Sequence, residues 1–314
     1  MIAFRKARES IVVCAQQFNE SKKCVGLPDF ICAEVVLAFD AQKIPVKFYP
    51  VEFDTSGALQ LNVGLIPFDE IRCCVVVNYF GKYHEANQTL IDECKKKGIG
   101  TVEDDTHVLL IAIEDMACDF RVDSRRKILG SRYGSVVDIA SEVCSGCSKL
   151  LESGLVVSQP GLFSRVFSDI VHFLKQSLTL RLGFRMMKSG SRKLWAMQSS
   201  KFDNEIDRIV TWSVSRRYFE VRRERLRSIR PRVDLHLSKF GLLPIDEGAE
   251  HRGLVWRFWY IKTYAVELPS FIMVGGLICC ELSRWPNLPP TLAEDPRLQR
   301  LADKIVSVEI LRRI

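Results

Sequence analysis

The segment from Cys73 to Asp104 constrains this chain more than any other. Cys73-Cys74-Val75-Val76-Val77 is an apolar run of the kind buried on both faces of a parallel sheet. It runs into Asn78-Tyr79-Phe80-Gly81, where the glycine marks a turn. Leu90 to Lys97 has helical character with a basic last turn, and Gly98 is placed to cap it. Thr101-Val102-Glu103-Asp104 then reads as a second strand that ends in acids. Strand, helix, strand is the unit of an α/β fold, and in open α/β sheets ligands bind at the carboxyl ends of the strands. Both Tyr79-Phe80-Gly81 and Glu103-Asp104-Asp105 fall at that end.

The same alternation continues upstream. Residues 8–18 read as an opening helix, Cys24–Pro28 as a short strand, Phe30 to Phe39 as a helix and Val46–Tyr49 as a strand. Downstream, a helix is expected from Leu162 to Leu182, and a basic one from Asp203 to Ile229 that Pro231 stops. Short strands, Pro-rich turns and a last helix from Asp295 follow. A chain of 314 residues accommodates a large domain and a smaller one, here expected at 1–165 and 166–314. Charge supports that division. Residues 1–152 hold 18 Lys/Arg against 22 Asp/Glu, and residues 153–314 hold 27 against 16, for a net +7.

Several classes are disfavoured. The N-terminus carries Arg5 and Lys6 where a signal peptide needs an apolar core, and Arg165, Asp169, His172 and Lys175 break the apolar stretch after residue 160. These features predict a cytoplasmic protein without a membrane span. Eleven cysteines, an odd number scattered through apolar runs, read as small buried hydrophobes. Cys144-Ser145-Gly146-Cys147 has no second pair at zinc-finger spacing, so no metal site is expected. In Ser215–Leu226 acids interleave with the bases, which suits ion pairs along a solvated helix better than a nucleic-acid surface.

Glu103-Asp104-Asp105, followed by His107, admits two readings: a cap for a following helix, or a buried acid held for chemistry. The surrounding pattern resembles the DegT/DnrJ/StrS sugar aminotransferases. The residues that carry the resemblance are Gly26-Leu27-Pro28-Asp29-Phe30, Pro45-Val46-Lys47-Phe48-Tyr49, Val75-Val76-Val77-Asn78-Tyr79-Phe80-Gly81 and Glu103-Asp104-x-x-His107, in matching order over about residues 5–157. The resemblance implies the type I fold of pyridoxal-phosphate-dependent transferases. That is a mixed, mostly parallel sheet flanked by helices, with a smaller α+β C-terminal domain.

It also implies roles for particular residues. Asp104 would pair with the cofactor's pyridine nitrogen, with His107 supporting that contact. Lys149, in Ser145-Gly146-Cys147-Ser148-Lys149, would hold the cofactor covalently, with Ser145 or Ser148 near its phosphate. Arg8 and Ser10 stand where the family has a phosphate loop, although the usual glycine is missing and the N-terminal lead is short. Phe30 would be either a stacking platform or a core residue. A nucleotide sugar as substrate, glutamate as amino donor and a homodimer are implied as well. The departures from the motif keep a second possibility open, a relative that retains the fold without the cofactor.

Overall fold

The computed structural model describes residues 2–4, 6–18, 23–54, 56–108, 117–124, 135–140, 224, 228–245, 257–264, 267–274 and 278–313. All belong to one compact unit drawn from Met1–Glu152 and Ser215–Ile314. The expected boundary at 165/166 lies outside the described residues, as do most of the two long helices expected between 162 and 229.

The first layer is a seven-stranded sheet. Its strands are β1 (Ile2–Phe4), β2 (Cys24–Pro28), β3 (Val46–Tyr49), β6 (Ile71–Val77), β7 (Gly100–Asp105), β8 (Phe120–Asp123) and β9 (Ser135–Ile139), in the spatial order β1-β9-β8-β7-β6-β2-β3. From β3 to β8 every pairing is parallel, and β9 alone runs against its neighbours β8 and β1. A two-residue hairpin, β4 (Glu52–Phe53) with β5 (Leu59–Gln60), lies between β3 and β6 in sequence.

Helices α1 (Ala7–Ala15), α2 (Ala33–Ala41) and α3 (Glu85–Lys96) accompany the sheet. The apolar run of the sequence is β6, with Cys73 to Val76 wholly buried. Helix α3 begins five residues before Leu90, its first apolar anchor. Asn87, buried in that polar first turn, donates to the Val77 carbonyl (2.9 Å) and to Asn78 Oδ1 (2.8 Å), a packing contact that apolar spacing cannot reveal. Gly98 closes α3 with φ +67°, a conformation in which a β-carbon is strained.

The C-terminal half forms an antiparallel sheet of β10 (Leu242–Pro244), β11 (Arg257–Lys262), β12 (Phe271–Val274), β13 (Ile278–Arg284) and β14 (Ile305–Arg313), ordered β10-β11-β14-β13-β12. A helix over residues 228–238, α4, covers one face. Pro231 lies inside it instead of stopping a helix at Ile229, as the sequence suggested. Ile229, Val233 and Leu237, spaced four apart, are buried against Phe258, Tyr260, Val306 and Val308. That apolar stripe outweighs the hydrogen bond a proline forfeits. The final helix, α5 (Pro296–Lys304), starts where expected: Asp295 caps it by accepting from the N–H groups of Arg297 (2.7 Å) and Leu298 (3.4 Å).

The C-terminal segments fasten onto the end of β2. Arg297 Nη1 donates to the Val51 carbonyl (2.8 Å) and Nη2 bonds the Asp29 carboxylate, which also accepts from the Val51 N–H (3.1 Å). Asn287 accepts from the Ala33 N–H (2.8 Å). Burial raises Asp29's pKa despite the opposing pull of Arg297, so removing the guanidinium would leave a costly carboxylate. Arg297→Met should lower stability by about 2 kcal/mol, a partly exposed instance of a broken buried pair. Urea unfolding midpoints test this, and a midpoint equal to wild type would show that the pair contributes nothing.

Candidate active site

Alternation along β7 sorts its acids onto two faces. Gly100, Val102 and Asp104 share one, and Thr101, Glu103 and Asp105 the other. The Phe18 ring fills the place where a β-carbon on Gly100 would project, and Phe18 packs edge-on against Phe120 with centroids 5.5 Å apart. Phe18 lies just beyond the C-terminus of α1, so Asp104 is on α1's face of the sheet. At the other end of α1, Ser10 Oγ donates to Ser135 Oγ (2.9 Å), which donates to the Asp123 carbonyl at the end of β8 (2.6 Å). Helix α1 therefore runs against the parallel strands and brings its N-terminus to the carboxyl edge that carries Asp104.

Asp104 is 6% exposed and accepts from the Thr106 N–H (3.0 Å), which bends the chain away from the strand. Among the described residues the acids cap no helix: β7 runs through Asp105 into a turn. His107 follows, buried, with its ring 5.1 Å from that of Trp259 and 5.0 Å from that of Trp285. These tryptophans belong to a larger aromatic assembly with Phe30, Phe53, Tyr79 and Phe80. Phe80 takes a left-handed conformation (φ 61°) and Gly81 follows at φ 80°, which turns the chain sharply at the end of β6. Phe30 is wholly buried against Phe53, Tyr79 and Trp285, and its carbonyl accepts from the Tyr79 hydroxyl (2.9 Å). It is a core residue.

The opposite face of β7 holds a buried polar network. Arg121 Nε on β8 lies 3.0 Å from Glu103 Oε2 and 3.3 Å from Asp105 Oδ2. The Asn78 side-chain amide, at the end of β6, donates to Glu103 Oε1 (2.8 Å) and Asp105 Oδ1 (2.5 Å). The Tyr83 hydroxyl bonds Asp105 Oδ2 (2.9 Å), and Cys118 Sγ donates to Glu103 Oε2 (3.2 Å). Burial, with Glu103 alongside, pushes Asp105 well above the usual carboxylate range. Burial opposes the charge on Arg121, yet Glu103 and Asp105 hold its pKa above the ordinary guanidinium value.

Of the expected site residues, Asp104, His107, Arg8 and Ser10 are described around one sheet edge, with the Ser10 hydroxyl engaged in fastening α1 to β9. Ser145, Ser148 and Lys149 lie outside the described residues. The polar network and Trp259 were not anticipated. The chain leaves β8 at the carboxyl edge through Ser124, and the residues next in sequence, Arg125-Arg126-Lys127, include a lysine that the motif reading passed over. Among the described residues no helix is long and apolar enough to cross a membrane, and no cluster of metal-ligating side chains occurs.

No protein-family model matches the sequence, and no curated protein matches it. Solved structures do. The aminotransferase TlmJ from Streptoalloteichus hindustanus is similar with a TM-score of 0.58 at 14% identity, over 98% of this chain and 80% of that one. OvoB is similar with a TM-score of 0.53 at 10% identity, over 83% of this chain. The fold is that of the type I pyridoxal-phosphate-dependent transferases. This chain spans 63% of OvoB's length.

His84 closes the turn after Gly81. Its Nδ1 accepts from the Leu59 N–H (3.2 Å) and its Nε2 donates to the Tyr79 carbonyl (3.2 Å), an arrangement that requires the neutral ring. Burial lowers its pKa from 6.5 to about 4. The unfolded chain takes up this proton near the higher value and the folded chain only near the lower. Stability therefore falls as pH drops through that window, by about 3 kcal/mol in full. His84→Gln should flatten the decline of the urea midpoint between pH 7 and pH 4. Unchanged steepness would exclude His84 as its cause.

Proposed function

We propose that this chain binds pyridoxal phosphate and acts as an aminotransferase. One observation carries the reading: a buried carboxylate, Asp104, shares its face and edge of the sheet with the N-terminus of α1. The donor set fits the cofactor's two poles. Asp104 can keep a proton on the ring nitrogen, and the first N–H groups of α1, with Arg8, can hold the phosphate. When bound, pyridoxal phosphate supplies the electron sink that lets an amino group pass between substrates. His107, packed against Trp259 and Trp285, holds the chain beyond Asp104 in place.

The lysine that would hold the cofactor and move protons follows from chain direction. Asp123 ends β8 at the carboxyl edge, and Lys127 follows it by four residues, a span of about 14 Å at most. Lys149 comes ten residues after Ile139, and β9 runs antiparallel, so Ile139 pairs with Phe120 at the opposite edge. We therefore assign the role to Lys127, with Lys149 as the alternative from motif resemblance.

The acceptor proposed is a keto-sugar nucleotide in polysaccharide or cell-envelope synthesis, with glutamate as donor and a homodimer as the working form. The sugar-aminotransferase resemblance supports these, and the excess of basic residues after 152 suits an anionic substrate.

Incubation with pyridoxal phosphate should give a near-visible absorbance band distinct from that of the free cofactor. Borohydride fixation and peptide mapping should then place the label on Lys127, and Lys127→Ala should abolish the band while Lys149→Ala retains it. A label on Lys149 would reverse that assignment. Protein that takes up no cofactor would leave a relative retaining the fold alone.

A further inference from the structure

The network behind Asp104 has an imbalance of charge. Glu103 and Asp105 are 5% and 0% exposed and lie on the same face of β7. The cation facing Glu103 and Asp105 is Arg121, and it offers them only Nε, whose single hydrogen lies nearer to Glu103 (3.0 Å) than to Asp105 (3.3 Å). Its Nη1 is buried with no hydrogen-bond partner among the described residues. One hydrogen cannot fully serve two carboxylates, and an uncompensated buried anion is costly.

The neighbours distinguish the two acids. Glu103 is surrounded by donors: the Arg121 Nε–H, the Asn78 amide and the Cys118 thiol. Asp105 Oδ1 also accepts from the Asn78 amide, but its Oδ2 faces the Tyr83 hydroxyl at 2.9 Å, which can accept a hydrogen bond as well as donate one. A proton on Asp105 Oδ2 thus has a good acceptor, whereas one on Glu103 finds only the weakly accepting Cys118 sulfur.

We propose that Asp105 keeps its proton at neutral pH and that Arg121, paired with Glu103, acts as a positioning residue for Asp104. The far face of β7 then carries a balanced Glu103–Arg121 pair, and Asn78 and Arg121 clamp β7 to its neighbours on either side. Asp104 is left as the anion that this end of β7 presents on the α1 face. This second role rests on the reading of Asp104 given above, whereas the protonation of Asp105 does not.

Infrared spectra of the cofactor-free protein at pH 7 should show a protonated-carboxyl band that shifts in heavy water. It should vanish in Asp105→Asn and persist in Asp104→Asn. Absence of the band from wild type, or its survival in Asp105→Asn, overturns the proposal. Absorbance titration with pyridoxal phosphate tests the positioning. Asp105→Asn, which mimics a neutral carboxyl, should bind within about threefold of wild type, while Arg121→Met should bind at least about tenfold more weakly. Glu103→Gln combined with Arg121→Met, which removes both charges, should recover part of that loss and serves if the single variant does not fold. Equal weakening by Asp105→Asn and Arg121→Met overturns the positioning role. Wild type that takes up no cofactor removes the aminotransferase reading, and the infrared result still decides Asp105.

Discussion

Three consecutive carboxylates at the end of a strand buried on both faces set the terms for everything around them. Alternation sends Glu103 and Asp105 to one side and Asp104 to the other, and each side must answer a different requirement. Behind the strand, charge must be neutralised without water, so β8 supplies Arg121, β6 supplies Asn78, and the approach to α3 supplies Tyr83. Asn78 is fixed in turn by Asn87 from α3. A helix, a turn and two strands thus converge on the acids of one strand. In front, Asp104 spends one oxygen on its own turn through Thr106 and stands on the face shared with α1.

The aromatic assembly answers a second need, that of joining an antiparallel sheet to the edge of a parallel one. On β11, Phe258 and Tyr260 face α4 while Trp259 faces the other way, toward Phe80 and His107. One strand therefore serves two cores by alternation alone. The Asp29–Arg297 pair and the Asn287 carbonyl secure the same junction with polar contacts at the end of β2.

Much of this was legible in the sequence where spacing reports burial. β2, β3, β6 and β7 and the start of α5 follow from apolar runs, caps and glycine. So does the placement of Asp104 at a strand's carboxyl end. What escaped was written in polar residues that bury themselves: the early turn of α3, the partners of Glu103 and Asp105, and the fastening of Ser10 to Ser135. A buried asparagine and a solvated one look alike in a sequence, because only the fold supplies the partner. Pro231 misled for the converse reason, since three buried aliphatic residues outweigh one missing N–H.

Strand direction explains why motif and topology point to different lysines. Resemblance favoured a Ser-x-x-x-Lys pattern followed by apolar residues, a pattern without direction. Once β9 is seen to run antiparallel, the chain after Asp123 and the chain after Ile139 leave the sheet at opposite edges. The lysine proposed to serve the cofactor is for that reason drawn from the first of these, before the reversal. The same reversal lets Ser135, the first residue of β9, sit beside the N-terminal turns of α1. The antiparallel strand thus decides which end of the sheet each flanking segment can serve.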